Sequence, residues 1–432
     1  MKHIAIVGGG ISGISAAFYA RQQGWSVDLY EASDDLGGRV GCTDFGGRNV
    51  EFGGKNIGLR YARFRDFTQQ LGGIEFEEFG LNSSRAINGR VTRFNKDGSK
   101  LRTLSQIWRM CGPRGVAQLL PHVLAIRANP DDGFLHGPYF DDKARSADER
   151  PLSAHFSKMC TTNFIRTLTV RMNGAEPDEC YLGNFGSNLG LVLDKYEQAV
   201  GGMRSVLDAF GSYFRDQGLY LGQYVRRISE PGGGRSRVES AGRHGEMSRD
   251  YDHVIVALPA PTAAKLLDDH AGEVADLLRQ VRYFPVAVAI ARYRDNVFSA
   301  QQRAMVFDAD SPLSNAGAYG IHDLNLVRYT FSGRAARTMI DGATDPEQAI
   351  ALAETRIGPH FNIWRNKRED FTYRYMQTGL CAYSAHHADL LQGLSARTPP
   401  TGGLSLTGDY WRGASIEACF RASQEVVTRL AA

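Results

Sequence analysis

A glycine-rich loop close to the start of the chain constrains its fold more than any other feature. The run HIAIV at positions 3–7 is apolar and β-branched, which predicts a short buried strand of a parallel sheet. It leads directly into GGGISG at positions 8–13, which satisfies the G-x-G-x-x-G pattern, and a helical stretch then reaches about Gln23. Gly24 stands where a helix C-cap glycine belongs, and a second strand is expected at 25–30. The pattern predicts a βαβ unit that binds a dinucleotide.

The glycines of this loop have separate physical roles in such a unit. Gly8 allows a tight turn, Gly10 lets the backbone approach a pyrophosphate, and Gly13 lets the helix pack close to the strand. The first-turn N–H groups at Ile11 and Ser12, helped by the helix dipole, are expected to receive the phosphates.

An acidic residue follows at the position where a dinucleotide-binding unit uses one. Glu31 lies 21 residues after Gly10, where its carboxylate can accept hydrogen bonds from the hydroxyls of the adenosine ribose. The negative charge argues against NADP, because it would repel the 2′-phosphate of that nucleotide.

The bulk properties of the chain limit what else it can be. With 432 residues it is too long for one ordinary core, so two domains are expected. The 50 basic and 47 acidic residues nearly balance, which gives no reason to expect nucleic acid as a partner. The six cysteines show no Cys-x-x-Cys spacing, so no metal site is expected and reduced thiols in a cytoplasmic protein are favoured. No apolar run approaches the ~20 residues of a transmembrane segment, and because a strand that the fold needs is predicted directly after Lys2, no signal peptide is expected.

The residues that follow Glu31 separate FAD from NAD. Ala32 begins the run ASDDLGGR, which ends in Gly37, Gly38 and Arg39. From the glycine loop through the acid to Gly-Gly-Arg, the chain resembles the superfamily of flavin amine oxidases, protoporphyrinogen oxidases and phytoene desaturase-like flavoproteins. The resemblance implies that Glu31, Ala32, Gly38 and Arg39 bind FAD, with the guanidinium paired to a phosphate.

A second segment resembles the flavin amine oxidases in particular. The run EFGGKNIG at positions 51–58 is similar to their acid-x-Gly-Gly-x-x-Ile/Val-Gly turn, which runs beside the isoalloxazine ring. The resemblance implies that Gly53, Gly54, Lys55 and Asn56 contact the flavin. A glycine-rich surface loop is the alternative that the residues alone leave open.

Later segments follow the order of the same superfamily. Val225 lies in a run, VRRI, that resembles the strand whose valine backbone meets the adenine. Near the C-terminus, LTGDY and SIEA resemble the closing segment of the family, in which Asp409, after Gly408, would accept a hydrogen bond from a ribityl hydroxyl. The helix that begins at Ser415 and Ile416 would then direct its N–H groups at the pyrimidine end of the flavin.

The resemblance implies an α/β architecture with a discontinuous, Rossmann-like FAD-binding domain of the glutathione-reductase type. Residues 1–85, 195–280 and 385–432 are assigned to that domain. Residues 86–194 and 281–384 are assigned to a second, substrate-binding domain with a mixed sheet and helices.

Local patterns predict several elements of the second domain. Strands are expected at 286–293, 326–331 and 371–376, and a helix is expected at 346–357. The stretch from about 129 to 151 is rich in Asp, Gly and Pro, which predicts a polar loop.

The residues that handle the substrate are less strongly marked. In flavin amine oxidases a lysine often lies near the flavin N5, but the corresponding strand of this chain has Ala287 and Val288. Lys55 is the candidate for an amine near the ring, and a solvent-exposed or charge-neutralising lysine is the alternative. Tyr383 is the candidate for an aromatic wall of the substrate pocket, and structural packing is the alternative.

Two features near Tyr383 have a chemical and a structural interpretation. Some amine oxidases attach FAD covalently through a cysteine in the region of Cys381. A buried free cysteine, and with it non-covalent FAD, is favoured here. For His386 and His387, a surface or hydrogen-bonded pair is favoured over a catalytic base.

The sequence therefore predicts a FAD-dependent oxidoreductase that transfers hydride from a small organic substrate to flavin N5, in a biosynthetic role. Oxidation of an amine C–N bond is favoured. A desaturase or dehydrogenase of the protoporphyrinogen or terpenoid type, and a flavin mutase without net redox, stay open as alternatives. The expected partner is the small-molecule substrate, and a homodimer is compatible with the sequence.

Overall fold

The computed structural model of the chain describes residues 1–79, 82–87, 90–95, 100–361 and 363–432. Its strands form one sheet of five strands, one of seven, and three smaller sheets. Helices pack against both large sheets. The arrangement confirms the predicted α/β class, with a Rossmann-like part and a second part built on a mixed sheet.

The five-stranded sheet carries the glycine loop at the end of its middle strand. Every neighbouring pair of strands in it is parallel. Ile6 pairs with Leu29 on one side and with Ile255 on the other. Helices cover both faces of this sheet, which is why its strands read as continuous apolar runs. The strands lie in the order Gly218–Leu221, Ser26–Glu31, His3–Val7, His253–Val256 and Leu404–Leu406.

Four helices cover the face of the sheet to which Ile4 and Ile6 point. The first and last of them pack closely, because small hydroxyl residues line their contact. The Ser15 and Ser423 hydroxyl oxygens lie 2.8 Å apart, and the Thr407 hydroxyl lies 3.0 Å from that of Ser423. The four helices are Ile11–Gln22, Ala62–Gln70, Gly202–Tyr213 and Ile416–Ala431.

The opposite face, to which Ala5 and Val7 point, is covered by a small antiparallel sheet and three helices. Alternate residues of one strand point to opposite faces, so this strand contributes to two separate cores. The sheet consists of Gln223–Gly232, Arg235–Gly242 and Met247–Tyr251. The helices are Ala260–Leu267, Gly272–Arg279 and His387–Arg397.

The seven-stranded sheet forms the centre of the second part. Its neighbouring strands are antiparallel, apart from one parallel pair between Ala304–Val306 and Asn82–Ile87. The predicted strands and the predicted helix are confirmed, with the strand predicted at 371–376 extended at both ends. The order is Arg368–Cys381, Tyr283–Tyr293, Leu326–Phe331, Leu313–Ala318, Ala304–Val306, Asn82–Ile87 and Arg90–Asn95. The helices Arg334–Met339 and Pro346–Phe361 belong to the same part.

The second part also contains a layer of helices with its own hydrophobic core. The polar loop predicted at 129–151 is wrong for its second half, because Pro138–Ala147 is an α-helix that buries Phe140, Ala144 and Ala147. Proline at the first position of a helix has a favourable fixed φ, so Pro138 starts this helix instead of breaking one. The other main helices are Lys100–Ala128, Arg166–Asn173 and Phe185–Val192.

Short antiparallel strands connect the loop regions through backbone hydrogen bonds. Cys42–Asp44 pairs with Asn49–Glu51, and Tyr196–Ala199 pairs with both Ile57–Gly58 and Phe76–Glu78. The five parallel strands come from within the three stretches assigned to FAD. The domain boundaries themselves remain a prediction.

Candidate active site

The glycine loop has the close contacts that its motif predicts. Gly8 has a φ of +109°, and a Cβ on Gly13 would lie 1.8 Å from the Gly8 carbonyl oxygen. A Cβ on Gly10 would meet no atom within 4 Å, so the backbone at Gly10 faces open space. Gly8 and Gly13 are therefore required by the fold itself, whereas Gly10 is free to serve a ligand.

Glu31 holds the glycine loop in place. Its carboxylate accepts hydrogen bonds from the Gly9 N–H at 2.6 Å and from the Ser33 N–H at 2.8 Å. Each carboxylate oxygen has two lone pairs, so acceptor capacity remains for ribose hydroxyls. Ala32 follows as an exposed residue of the same turn.

The Gly-Gly-Arg turn packs directly on the glycine loop. The Gly37 N–H donates to the Gly9 carbonyl at 2.9 Å, and Gly37 and Gly38 have φ values of +110° and +55°. A Cβ on Gly38 would lie 3.3 Å from the Gly10 Cα. The turn and the loop therefore form one continuous surface.

Arg39 and Asp409, which are 370 positions apart, meet at this surface. The Arg39 Nη1 atom lies 2.7 Å from Asp409 Oδ2 and 3.2 Å from the Gly379 carbonyl oxygen. The Tyr283 hydroxyl donates to the other carboxylate oxygen, and the Tyr383 hydroxyl donates to the Asp409 carbonyl at 3.0 Å. Burial works against the charge on Arg39, but the neighbouring carboxylate raises the pKa of the guanidinium above its ordinary value.

A buried acid anchors residues 51–58, which are called the flavin-turn segment. Glu51 is 2% exposed and accepts a hydrogen bond from the Met203 N–H at 2.6 Å. The Tyr319 hydroxyl also donates to it. Arg328 donates to the Phe52 and Gly53 carbonyls at 2.5 and 2.7 Å. A surface loop would not have such anchors, so that alternative is wrong.

Lys55 lies inside this segment, and its amine is not in solvent. Lys55 is 9% exposed, its Nζ donates to the Tyr319 carbonyl, and the same atom lies 3.6 Å from the centre of the Tyr319 ring. Burial lowers the pKa of Lys55 to about 7, although the nearby Glu51 carboxylate opposes that shift. An amine with this pKa is partly neutral at physiological pH and can accept a proton.

Several groups in the glycine loop and in residues 51–58 are open to a ligand. Cβ atoms on Gly10 and Gly54 would meet nothing within 4 Å. The Asn56 Oδ1 atom is buried, and no donor reaches it among the residues that the structure describes. A Cβ on Gly53 would instead lie 2.1 Å from the Arg39 carbonyl, so that glycine lets the two turns approach. These features fit an elongated cofactor that follows the loop, the turn and residues 51–58.

The C-terminal motif closes the site with a capped helix. Ser415 is the N-cap of Ile416–Ala431, and its hydroxyl accepts a hydrogen bond from the Ala418 N–H at 3.1 Å. Gly408 comes just before Asp409, and a Cβ there would lie 2.5 Å from the Tyr410 ring. The first-turn N–H groups at Ile416 remain available to a negative group.

Glu417 of the same motif caps a different helix. It is 0% exposed and accepts hydrogen bonds from the Arg63 and Phe64 N–H groups, each at 3.1 Å. These groups belong to the first turn of Ala62–Gln70. Burial raises the pKa of Glu417, while the backbone donors oppose that shift.

Removing this cap is expected to lower stability. The Glu417→Ala variant leaves two buried N–H groups without an acceptor, which costs about 1–3 kcal/mol of the free energy of unfolding. Thermal denaturation followed by circular dichroism measures the effect. Glu425→Ala on the exposed side of the same helix removes a surface contact with Arg412 and is the matched control, expected within ~0.5 kcal/mol. Equal shifts for the two variants would contradict the capping role.

The remaining candidates, Cys381, Tyr383 and His387, are all buried. Tyr383 is 2% exposed and has a positive φ of 44°. The Cys381 thiol is fully buried, and burial raises its pKa well above the ordinary value. The His387 Nε2 lies 2.7 Å from the Tyr410 carbonyl, and burial lowers the pKa of His387 to about 4. A hydrogen-bonded, neutral His387 agrees with the favoured interpretation.

The sequence did not single out three residues that the structure places at the site. Tyr283, Tyr319 and Arg328 lie on or beside strands of the seven-stranded sheet and reach the flavin-side turns. The one available signal in the sequence was the charged Arg328 within the strand predicted at 326–331. Val225 is buried in its strand, and its contact with an adenine remains a prediction. Among the described residues no cluster of His, Cys, Asp and Glu could hold a metal ion.

Comparisons with known proteins identify the family of the chain. The chain matches the family described as flavin containing amine oxidoreductase over residues 11–431. Cyclohexylamine oxidase from Brevibacterium oxydans superposes with a TM-score of 0.76 and 18% identity, covering 100% of this chain and 98% of that one. Wild-type putrescine oxidase bound to putrescine gives a TM-score of 0.75 and 17% identity, covering 99% and 98%. At these identities the likeness concerns the fold.

A curated relative matches only a short part of the chain. The 4,4′-diaponeurosporene oxygenase of Staphylococcus aureus is 40% identical over 60 residues, which is 14% of this chain and 12% of that protein. The family match extends over almost the whole chain, from residue 11 to residue 431. The chain belongs to the flavin-containing amine oxidoreductase family and is a flavin-dependent oxidoreductase.

Proposed function

We propose that the chain binds FAD without a covalent bond, along the path from the glycine loop to residues 51–58. The ADP half would lie on the backbone N–H groups of Gly10, Ile11 and Ser12, with its ribose at Glu31. The open space at Gly10 supports this path, because a phosphate can approach the backbone N–H groups of the helix start there.

The remaining groups on the path would hold the flavin half. Arg39 supplies positive charge for the pyrophosphate, and Asp409 supplies an acceptor for a ribityl hydroxyl. The helix N-terminus at Ser415 and Ile416 supports negative charge on the reduced ring. Contacts from Ala32, Gly53, Gly54, Asn56, Val225 and Gly408 complete the proposed set.

Bound FAD supplies an acceptor for a hydride from a substrate carbon. We infer that the favoured substrate is a small amine, oxidised at its C–N bond. The observation that carries this proposal is the buried Lys55 amine, whose pKa is about 7, within the flavin-turn segment. An alkylammonium ion must lose a proton before its carbon can release a hydride, and the neutral amine of Lys55 can take that proton.

A desaturase or dehydrogenase is the second candidate. Two observations favour it: Ala287 and Val288 occupy the strand where amine oxidases often carry a lysine, and the local match is to a diaponeurosporene oxygenase. A flavin mutase without net redox is the third. All six cysteines are free thiols, which supports the proposal of a reducing, cytoplasmic location.

Substrate screening without oxygen separates these candidates. The purified protein is expected to show flavin absorption, and a small amine is expected to bleach it anaerobically and to give hydrogen peroxide in air. Bleaching by a polyene or porphyrinogen substrate, without bleaching by any amine, would favour the second candidate. No bleaching by any substrate that is converted would favour the mutase.

Denaturation is expected to release all the flavin into solution. Because Cys381 is fully buried and its pKa is raised, its thiolate is scarce and a thioether is disfavoured. Mass spectrometry of the denatured protein is expected to give the apoprotein mass. A mass increase equal to that of FAD, lost in the Cys381→Ala variant, would contradict non-covalent binding.

A further inference from the structure

The helix Lys100–Ala128 exposes apolar side chains on the side that faces away from the protein. A left-handed residue, Gly112 with φ of 67°, divides it, and Pro113 starts its second half. In that half Leu119 and Ile126 are 5% and 1% exposed and pack on the helical layer. On the opposite side Leu120 and Leu124 are 51% and 52% exposed. They are separated by four positions, so they lie on one face of the helix.

The first half of the helix repeats this pattern. Leu104 and Trp108, again four positions apart, are 62% and 54% exposed. Met159, which is 46% exposed, lies next to the kink, since its sulfur would be 3.3 Å from a Cβ on Gly112. Single exposed apolar residues are normal on a protein surface, but a pair of large ones on each half of the same kinked segment indicates an interaction site.

The charge of the helix is entirely of one sign. Residues 100–128 contain five Lys or Arg residues and no Asp or Glu. Arg109, Arg114 and Arg127 are exposed, and in the described part of the chain none of them forms a salt bridge or a side-chain hydrogen bond. Their positive charges are therefore not neutralised by any of the described residues.

We propose that the two exposed pairs, Leu104 with Trp108 and Leu120 with Leu124, form one face together with the arginines beside them, and that this face docks on an anionic lipid bilayer. A helix that combines Trp and Leu on one face with flanking Arg lies in the interface between headgroups and acyl chains. No helix among the described residues is long and apolar enough to cross a bilayer, so the contact is with one leaflet. The proposal does not depend on the reaction at the flavin.

The charge pattern disfavours a second copy of the chain as the occupant. A symmetric dimer would place the same face on itself, so arginines would meet arginines. The helix contains no acidic residue to pair with them. An anionic leaflet instead attracts each exposed Arg and accommodates the apolar side chains between the headgroups.

Co-sedimentation of the FAD-loaded protein with vesicles tests the charge. We expect binding to vesicles of phosphatidylcholine with 30% phosphatidylglycerol, weakened by high salt, and much weaker binding to pure phosphatidylcholine. The Arg114→Glu/Arg127→Glu variant is expected to bind about tenfold more weakly or worse. The matched control is Arg215→Glu/Arg429→Glu, which reverses two other exposed arginines without salt bridges in the described residues.

A second pair of variants tests the apolar contact. Leu120→Gln/Leu124→Gln is expected to lose about tenfold in affinity for the anionic vesicles, whereas Val200→Gln/Met339→Gln, at apolar residues exposed elsewhere, keeps it. The tryptophan emission is expected to shift to the blue on binding, and the Trp108→Phe variant is expected to lose that shift. Unchanged flavin absorption and melting temperature show that the variants are folded.

Three results would overturn the proposal. They are equal binding to neutral and anionic vesicles, no binding to either, and equal losses in the control variants. A dimer found by light scattering without lipid, and abolished by Leu120→Gln/Leu124→Gln, would assign the face to a second copy instead.

Discussion

The Gly10→Ala variant is expected to fold normally and to lose FAD. Gly10 has φ of −73°, which alanine adopts without strain, and a Cβ there would meet no protein atom within 4 Å. The same open space is where the pyrophosphate of the proposed cofactor would lie, so the added methyl group excludes it. We expect the affinity for FAD to fall at least about 100-fold. Flavin absorption and titration of the apoprotein with FAD measure the loss.

The Gly13→Ala variant, unlike Gly10→Ala, is expected to lose stability as well as FAD binding. Its Cβ would lie 1.8 Å from the Gly8 carbonyl, so the helix Ile11–Gln22 must move away from its strand. The melting temperature should fall along with FAD binding, because overpacking of this kind costs about 1–3 kcal/mol or more. Gly211→Ala, in an open helical position, is the control and should not destabilise the protein. FAD binding that survives in Gly10→Ala would place the pyrophosphate elsewhere.

The Lys55→Met variant is expected to lose activity and to gain stability. If the amine takes the substrate proton, kcat/KM should fall by about 10²–10⁴. In the wild type kcat/KM should rise as pH increases through about 7, since the neutral amine is the active form. The variant should lack this rise. Lys265→Met, at an exposed lysine, is the control for the loss of a positive charge.

The gain in stability of the Lys55→Met variant is expected to depend on pH. The folded pKa of Lys55 is lowered to about 7, so folding disfavours the charged amine. The cost is full below pH 7 and disappears as pH rises toward the pKa of the unfolded chain, because there neither state is charged. The melting temperature of Lys55→Met should therefore exceed that of the wild type more at pH 6 than at pH 9.5. Identical melting and pH–rate profiles would refute both roles of the amine.

Local rules predicted the parts of the site that depend on local geometry. The glycine loop, the acid at Glu31 and the Gly37-Gly38 turn each need particular residues within a few positions, so their patterns are visible in the sequence. The structure agrees with these predictions at the level of backbone contacts. Three of the seven strands of the mixed sheet were also predicted, from short strand-like runs at 286–293, 326–331 and 371–376.

The contacts that position the flavin-turn segment could not be predicted in this way. Arg328 reaches Gly53 across 275 positions, and Tyr319 reaches Lys55 across 264. Which face of a strand meets which loop depends on the packing of two sheets, and no local pattern encodes it. The helix beginning at Pro138 was missed for another reason. The stretch at 129–151 has the Asp, Gly and Pro content of a loop, although Phe140, Ala144 and Ala147 have helical spacing.

The pairing of the first strand with late ones limits when the site can exist. His3–Val7 lies between two strands of the parallel sheet, and the sheet is complete only when Leu404–Leu406 joins His253–Val256. The hydroxyl contact of Ser15 with Ser423 likewise waits for the last helix. At ordinary rates of translation the ribosome needs roughly 20–80 s to pass from the loop to that helix. During this time the apolar first strand lacks its final neighbours, so we expect the proposed cofactor site to form only when synthesis of the chain is nearly complete.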